Sequence, residues 1–394
     1  MLGLIDKRTL EKYRAQAREK NRESWYLSWA LDTDEGERER GKTAEVGRAY
    51  FYLPGKKVVL LDAPGHSMYV SDMINGANQA DIAVLVVSAR SGEFEAGFEK
   101  DGQTREHVYL CRAGGIRKMV VLVNKMDEAG WDEARFCHIQ KKLGAFLQRV
   151  YSEQDVTYIP VSGIGGGNIL ERYGACAWYA GETFLGLLEK TNVSRQADAP
   201  FSFTVVDKVR ALGVVVYEGK VETGRLRSCN VVVLPQGIET AIVGIYDEED
   251  VEIAEAAAGD FVRVRLKENY EQIEEGDVIM EPECTSFAVA SEFSCMVNIL
   301  EVPGGIMCVG YRCVLHLRMN RRECKVASIA EMVDKKIVLR RFAKKGKRVL
   351  ARIQVDVPIV LTDWEKGGVS ADMFAMRTEN TTVGLGVVKK IARS

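Results

Sequence analysis

The sequence has no run of about eighteen apolar residues, which excludes a membrane-spanning helix as its organising element. Its N-terminus has no signal-peptide core, so nothing there predicts secretion. Only four histidines occur, and the nine cysteines are scattered, odd in number and never spaced C-x-x-C. A zinc site is therefore not expected, and the cysteines read as reduced, buried thiols of a cytoplasmic protein. No charge of one sign dominates either. Fifty-four basic against 56 acidic residues leave a net charge of −2, with no global pull toward nucleic acid or a membrane. What is present is 394 residues with 46% apolar and 28% charged content. That is a globular composition on a chain too long for one ordinary core, so two or three domains are predicted.

The stretch Val58–His66, VVLLDAPGH, organises the first half. Its four consecutive apolar residues read as a strand buried on both faces, as in a parallel sheet under helices. Upstream, Asp6 as a cap, a Lys7/Glu11 pair and a stripe of Leu10, Tyr13 and Ala17 predict an exposed helix over residues 6–22. Aromatic-rich Glu23–Asp32 follows, then a charged loop. Pro54-Gly55 between Tyr50–Leu53 and Lys57–Leu61 predicts a β-hairpin. Beyond it come a helix over Met68–Gln79, a second buried strand at Ile82–Ser88 and a helix over Gly102–Ala113. A third strand at Lys118–Val123, an amphipathic helix over residues 132–150 and a short strand at Thr157–Val161 complete the pattern. Strands alternating with helices predict a doubly wound α/β domain, whose ligand sites lie at the carboxyl ends of the strands. Asp62, Asn124 and Ser162 fall at such ends.

Near Ala197 the pattern changes to short alternating strands punctuated by glycine, which predicts all-β barrels. The expected division is 1–197, 198–285 and 286–394. Residues 247–283 carry fourteen acids against three bases, giving the first barrel an acidic side. Lys335–Arg348 holds eight basic residues and no acid. It reads as a solvated loop, with contact to RNA phosphates as the alternative.

The chemistry-bearing residues sit at the strand ends. A carboxylate at Asp127 can accept from the N1–H and 2-amino group of guanine, whereas adenine presents the reverse edge and leaves buried polar groups unpaired. The Asn124 amide can bridge the base and the neighbouring loop, and the Lys125 stem can cover the ring. Ser162-Gly163-Ile164 can offer a backbone N–H to the guanine carbonyl oxygen. At the other end, Asp62 can hold a Mg²⁺ and Gly65 lets a backbone N–H approach a terminal phosphate. Thr43, after a charged, Gly-interrupted loop, has the place and chemistry of a switch ligand for Mg²⁺ and γ-phosphate. His66 is placed to orient an attacking water. One element does not fit. Gly36-Glu37-Arg38-Glu39-Arg40-Gly41-Lys42-Thr43 matches the phosphate-loop pattern by letter. It has no buried strand before it, and it would put two carboxylates in an anion cradle, so it is rejected.

The strings DAPGH, GQTREH (Gly102–His107) and NKMD (Asn124–Asp127), with a switch ending in Thr43, resemble the translational GTPases of the eukaryotic elongation-factor family. IDKRTLEKY (Ile5–Tyr13), WYLSWALDT (Trp25–Thr33), GEFEAGFEK (Gly92–Lys100) and RRFAKKG (Arg340–Gly346) are most similar to its class II polypeptide release factors. The resemblance implies a P-loop-GTPase-type doubly wound domain, its first strand and P-loop missing here, followed by two β-barrels. It implies GTP/GDP and Mg²⁺ as ligands. His66 would then be catalytic, Thr43 and Asp62 metal-binding, and Gly65, Asn124, Lys125, Asp127, Ser162 and Gly163 nucleotide-binding. It implies a monomeric cytoplasmic GTPase of translation termination, partnered by the ribosome and by a class I polypeptide release factor on the last barrel, with no membrane role. A ribosome-rescue or elongation-type GTPase is the sister reading. A catalytically inactive, GTPase-like ribosome-binding module is the reading of a different class. Two departures qualify the likeness. Members carry their first strand and P-loop before IDKRT, so an incomplete chain is expected, and the family's R-F-T-L-R-D is altered to Met373–Thr378, MFAMRT.

Overall fold

The computed structural model describes residues 46–65, 70–98, 102–211, 213–333, 336–363, 371–378 and 381–392, together with Arg8, Glu11, Lys12 and Ala15. Those four early positions are helical and exposed, in keeping with the helix predicted over 6–22. Residues 23–43, with the aromatic stretch and the rejected phosphate-loop pattern, lie outside the described residues. The chain forms two compact units, Met1–Val193 and Ser194–Ser394.

In the first unit the elements are β1 (Gly47–Leu53), β2 (Lys56–Asp62), α1 (Val70–Gln79), β3 (Ile82–Ser88), α2 (Glu93–Phe98), α3 (Gln103–Ala113), β4 (Lys118–Asn124), α4 (Glu133–Leu147), β5 (Val156–Pro160) and α5 (Phe184–Lys190). β1 and β2 form the predicted hairpin, with Gly55 at φ +70°, a conformation side chains disfavour. Strands β3, β4 and β5 make a parallel sheet with β4 in the centre. β4 is buried on both faces. Met119, Val121 and Val123 meet Phe136, Ile139 and Leu143 of α4 and Val108 of α3, while Val120 and Leu122 meet Ile159, Val161, Phe184 and Leu187. Each large apolar side chain so buried stabilises the fold by about 1.5–3 kcal/mol. Asp132 starts α4 by accepting from the N–H groups of Ala134 and Arg135, both at 3.1 Å.

Two expectations need correction. Val58–Leu61 of β2 are half-buried rather than buried on both faces, because β2 pairs with β1 alone and shares no ladder with β3 among the described residues. β3 is buried on one face only. Ala83, Leu85 and Val87 join the α4-side core, whereas Val84 and Val86 on the other face stay 37% and 58% exposed. The hairpin is moored instead by side chains. Lys56 Nζ donates to the carbonyls of Leu188, Glu189 and Thr191 at the C-terminal end of α5, where the helix dipole favours a cation. Arg48 Nη2 donates to Gln79 Oε1 of α1 at 3.0 Å.

The second unit holds two barrels. The first is a closed six-stranded barrel of Ser202–Ala211, Val214–Thr223, Asn230–Leu234, Ile238–Tyr246, Phe261–Leu266 and Val278–Met280, filled by Phe203, Tyr217, Val264 and their neighbours. The second is a seven-stranded sheet. It closes because Arg312–Leu317 pairs both with Met373–Thr378 and with Asn320–Val333. Phe293 and Phe374 meet edge-to-face in its core, centroids 5.7 Å apart. Its seventh strand, Lys336–Arg340, extends beyond the closure. Lys335–Arg348 is therefore no single loop, since it also contains the strand Phe342–Lys344. The strand Arg348–Thr362 runs through Pro358. Pro358 is tolerated there because Asp356, Val357 and Pro358 pair with neither neighbouring strand across a register shift.

All nine cysteines are free thiols; five are buried, and Cys137 and Cys308 are exposed. Among the described residues, no helix is long and apolar enough to cross a membrane.

Candidate nucleotide site

The carboxyl ends of β4 and β5 carry five of the predicted residues, Asn124, Lys125, Asp127, Ser162 and Gly163. Asn124 ends β4, and its Oδ1 accepts from two backbone N–H groups, Lys125 at 2.7 Å and Gly163 at 2.8 Å. One carboxamide thus turns the chain out of β4 and fastens the loop after β5. The approach is close, since a Cβ at Gly163 would stand 3.4 Å from that same oxygen. Lys125 takes φ +64°, which aligns its backbone for the turn. Behind it, fully buried Met126 donates its N–H to Val161 O at 3.2 Å.

The loop after β5 is internally bonded. Ser162 is buried, its Oγ accepts from Gly165 N at 3.0 Å, and its own N–H donates to Gly167 O at 3.2 Å. Gly163 N is already taken by Asn124. Of the three residues expected to offer an N–H to a base, Ile164 is the one whose amide has no partner among the described residues. Asp127 is exposed, and its carboxylate likewise accepts no hydrogen bond among them. An open pair of acceptor oxygens and an open N–H beside a rigid turn are the complement of a purine edge that donates twice and accepts once.

A charged strap that sequence reasoning missed holds Lys125. Its Nζ pairs with Glu93 Oε2 of α2 at 2.7 Å, and Arg90 bonds both Glu93 and Glu128. Hydrogen bonds from Lys125 and then Ser88 hold the Glu93 carboxyl down at about 2. Arg135 of α4 secures the same segment, donating to Ala89 O at 2.7 Å and to Glu95 Oε1 at 2.8 Å. Glu93 and Glu95 lie in the GEFEAGFEK string, but nothing in their spacing announces partners 32 and 40 residues on.

The second cluster is at the end of β2. Asp62 is half-buried at the strand's last position and Gly65 is exposed. His107 of α3 hydrogen-bonds the Gly65 backbone and so ties this loop to the helix; burial lowers the pKa of its imidazole. His107 was visible only as part of GQTREH. Thr43 and His66 lie outside the described residues.

Comparison with known proteins follows the same lines. The elongation factor Tu GTP binding domain matches residues 2–233, and the elongation factor Tu C-terminal domain matches residues 286–392. The eukaryotic peptide chain release factor GTP-binding subunit of Schizosaccharomyces pombe is 42% identical, over 99% of this chain and 60% of its own length. That of Kluyveromyces lactis is 39% identical, over 99% of this chain and 57% of its own. The chain therefore spans 60% or less of the length of these curated relatives. Among solved structures, the S. cerevisiae Ski7 GTPase-like domain bound to GDP and inorganic phosphate is 16% identical and covers 98% of this chain and 92% of its own, with a TM-score of 0.78. That is a likeness of fold.

Proposed function

The chain belongs to the elongation factor Tu GTP-binding domain family, and from that membership we propose that it is a guanine-nucleotide-binding translation factor acting at termination. One observation carries the nucleotide reading. Asn124 locks the Lys125 turn to the Gly163 loop and leaves the Asp127 carboxylate and the Ile164 N–H unpaired beside it. The Asp127 oxygens accept from N1–H and the 2-amino group of guanine, and Ile164 donates to its carbonyl oxygen. Adenine, with an acceptor at N1 and no 2-amino group, leaves Asp127 unsatisfied. The similarity to proteins named release factor GTP-binding subunits supports termination rather than elongation.

In this reading Asp62 and Gly65 face the phosphate end of GTP. A half-buried carboxylate at a strand end is the donor type that Mg²⁺ takes. Asp62 and Thr43 would hold that ion, which supplies charge neutralisation for phosphoryl transfer. His107 keeps the Asp62 loop against α3, and His66 orients the attacking water. Residues 1–197 form the nucleotide module, 198–285 the first barrel and 286–394 the barrel that receives a class I release factor on the ribosome.

The test is titration with fluorescent mant-GDP and mant-ADP. Guanine is expected to be preferred at least a hundredfold, and Asp127→Asn should move the preference to xanthine, whose edge offers a donor at N1 and an acceptor at C2. Equal affinity for the two purines, or no saturable binding by this chain and by one extended with the family's phosphate loop, would sink the reading in favour of a nucleotide-free scaffold.

A further inference from the structure

The seventh strand of the second barrel, Lys336–Arg340, is an unusual edge. It pairs with Asn320–Val333 on one side, and no described strand pairs with its other side. All five of its residues are exposed. Ile337 and Leu339 share one face and are 65% and 76% exposed; Met332, directly opposite Ile337 on the neighbouring strand, is 64% exposed. An exposed strand edge with a contiguous apolar face is a template for another strand, and soluble proteins ordinarily blunt such edges.

The charges at this edge select what can pair with it. Lys336 and Arg340 stand at its two ends, so antiparallel pairing with a second copy would set Lys336 of one against Arg340 of the other, an unfavourable contact. The following chain adds Arg341, Lys344, Lys345, Lys347 and Arg348, with no acid between residues 335 and 348. Of these cations, Lys345 is paired with Glu301, and Arg340 with Glu331 on the neighbouring strand. No described acid pairs with Lys336 or Arg341. An acidic occupant is therefore favoured. A nucleic acid would satisfy the cations but has neither a strand edge for the open backbone groups nor apolar side chains for Ile337, Leu339 and Met332. A peptide has both.

We propose that the outer edge of Lys336–Arg340 is a docking site for an extended acidic segment of a protein partner, which joins the sheet as an added strand. Its backbone bonds the open edge, its alternate apolar side chains cover Ile337 and Leu339, and its carboxylates meet Lys336 and Arg341. This inference goes beyond the nucleotide reading and stands independently of it.

The experiment uses the whole chain and a labelled synthetic decapeptide alternating glutamate with valine. Saturable binding by fluorescence anisotropy is expected, with hydrogen-exchange protection gained at residues 336–340. The Ile337→Thr/Leu339→Thr double variant should weaken it at least tenfold without shifting the thermal midpoint, because both side chains are on the surface. Lys336→Glu should weaken it further, and a peptide alternating lysine with valine should not bind. The proposal is overturned by three outcomes. One is no protection of residues 336–340. A second is binding of a twenty-nucleotide uridine RNA there that the peptide cannot displace. The third is concentration-dependent dimerisation of the chain that the double variant abolishes.

Discussion

Asn124 Oδ1 holds the Gly163 N–H at 2.8 Å while also capping the Lys125 N–H, so a single side chain couples the loops after β4 and β5. Asn124→Ala removes both bonds and leaves two N–H groups without a partner. The expected cost is about 1–3 kcal/mol of local stability. Hydrogen exchange at Gly163 and Lys125 should accelerate about tenfold or more, while amides of β4 keep their protection.

Glu93→Gln should release the Lys125 ammonium with little change in global stability, under about 1 kcal/mol, because the pair is more than a third exposed. The Glu93 carboxyl is depressed to about 2, first by its hydrogen bond from Lys125. Its stabilising contribution is therefore complete above the ordinary value near 4.5 and is lost only as pH falls toward about 2. Lysine-selective NMR at pH 5 should find Lys125 still paired in the parent and mobile in the variant.

His107→Ala should loosen the loop after β2. Burial lowers the His107 pKa, so the imidazole is neutral in the folded state and protonation opposes its position. The stability owed to the buried neutral ring is complete above the ordinary value of 6.5 and falls away below it, and the Gly65 bond, which favours the charged ring, offsets only part of that loss. Exchange at Gly65 should quicken on acidification in the parent and be fast at every pH in the variant.

His316 offers a pH handle on the second barrel. Burial, then the charges of Arg377 and Arg321, lowers its pKa to about 4. Stability attributable to it is complete above 6.5 and lost as pH falls toward 4. Between pH 7 and pH 5 the loss amounts to about 2 kcal/mol. Thermal unfolding should show a drop in midpoint over that range that His316→Gln flattens.

Gly386→Ala tests the tightest contact in that barrel. A Cβ there would stand 2.0 Å from Cζ of Phe374, a fully buried ring. The expected destabilisation is about 1–3 kcal/mol, with the size set by how far Phe374 can move. Phe374→Leu in the same background should recover part of the lost midpoint.

Local elements were legible wherever period and punctuation agreed. Pro54-Gly55 announced the hairpin, and the run Ile82–Ser88 announced β3 to the residue. The strand-end positions of Asp62, Asn124 and Ser162 followed from the same pattern. What remained hidden is made by distant pairs. Neither Glu93 with Lys125 nor Gly65 with His107 has a sequence signature, because each depends on how helices lie across strand ends. The strand Lys336–Arg340 was masked by its own charge, since eight basic residues outweighed the alternation of Ile337 and Leu339. The apparent two-faced burial of β2 and β3 failed for a related reason. Apolar runs report what a strand prefers to meet, not whether a neighbour is there to meet it.

The separation of the hairpin from the parallel sheet has a thermodynamic corollary. Because β2 and β3 share no ladder, β1 and β2 can melt without breaking one hydrogen bond of β3, β4 or β5. Asp62 and Asn124 therefore stand at the ends of two separately bonded sheets. A ligand that grips both ends would fuse two unfolding equilibria into one. Part of its binding free energy would then be spent on making the domain melt as a single body.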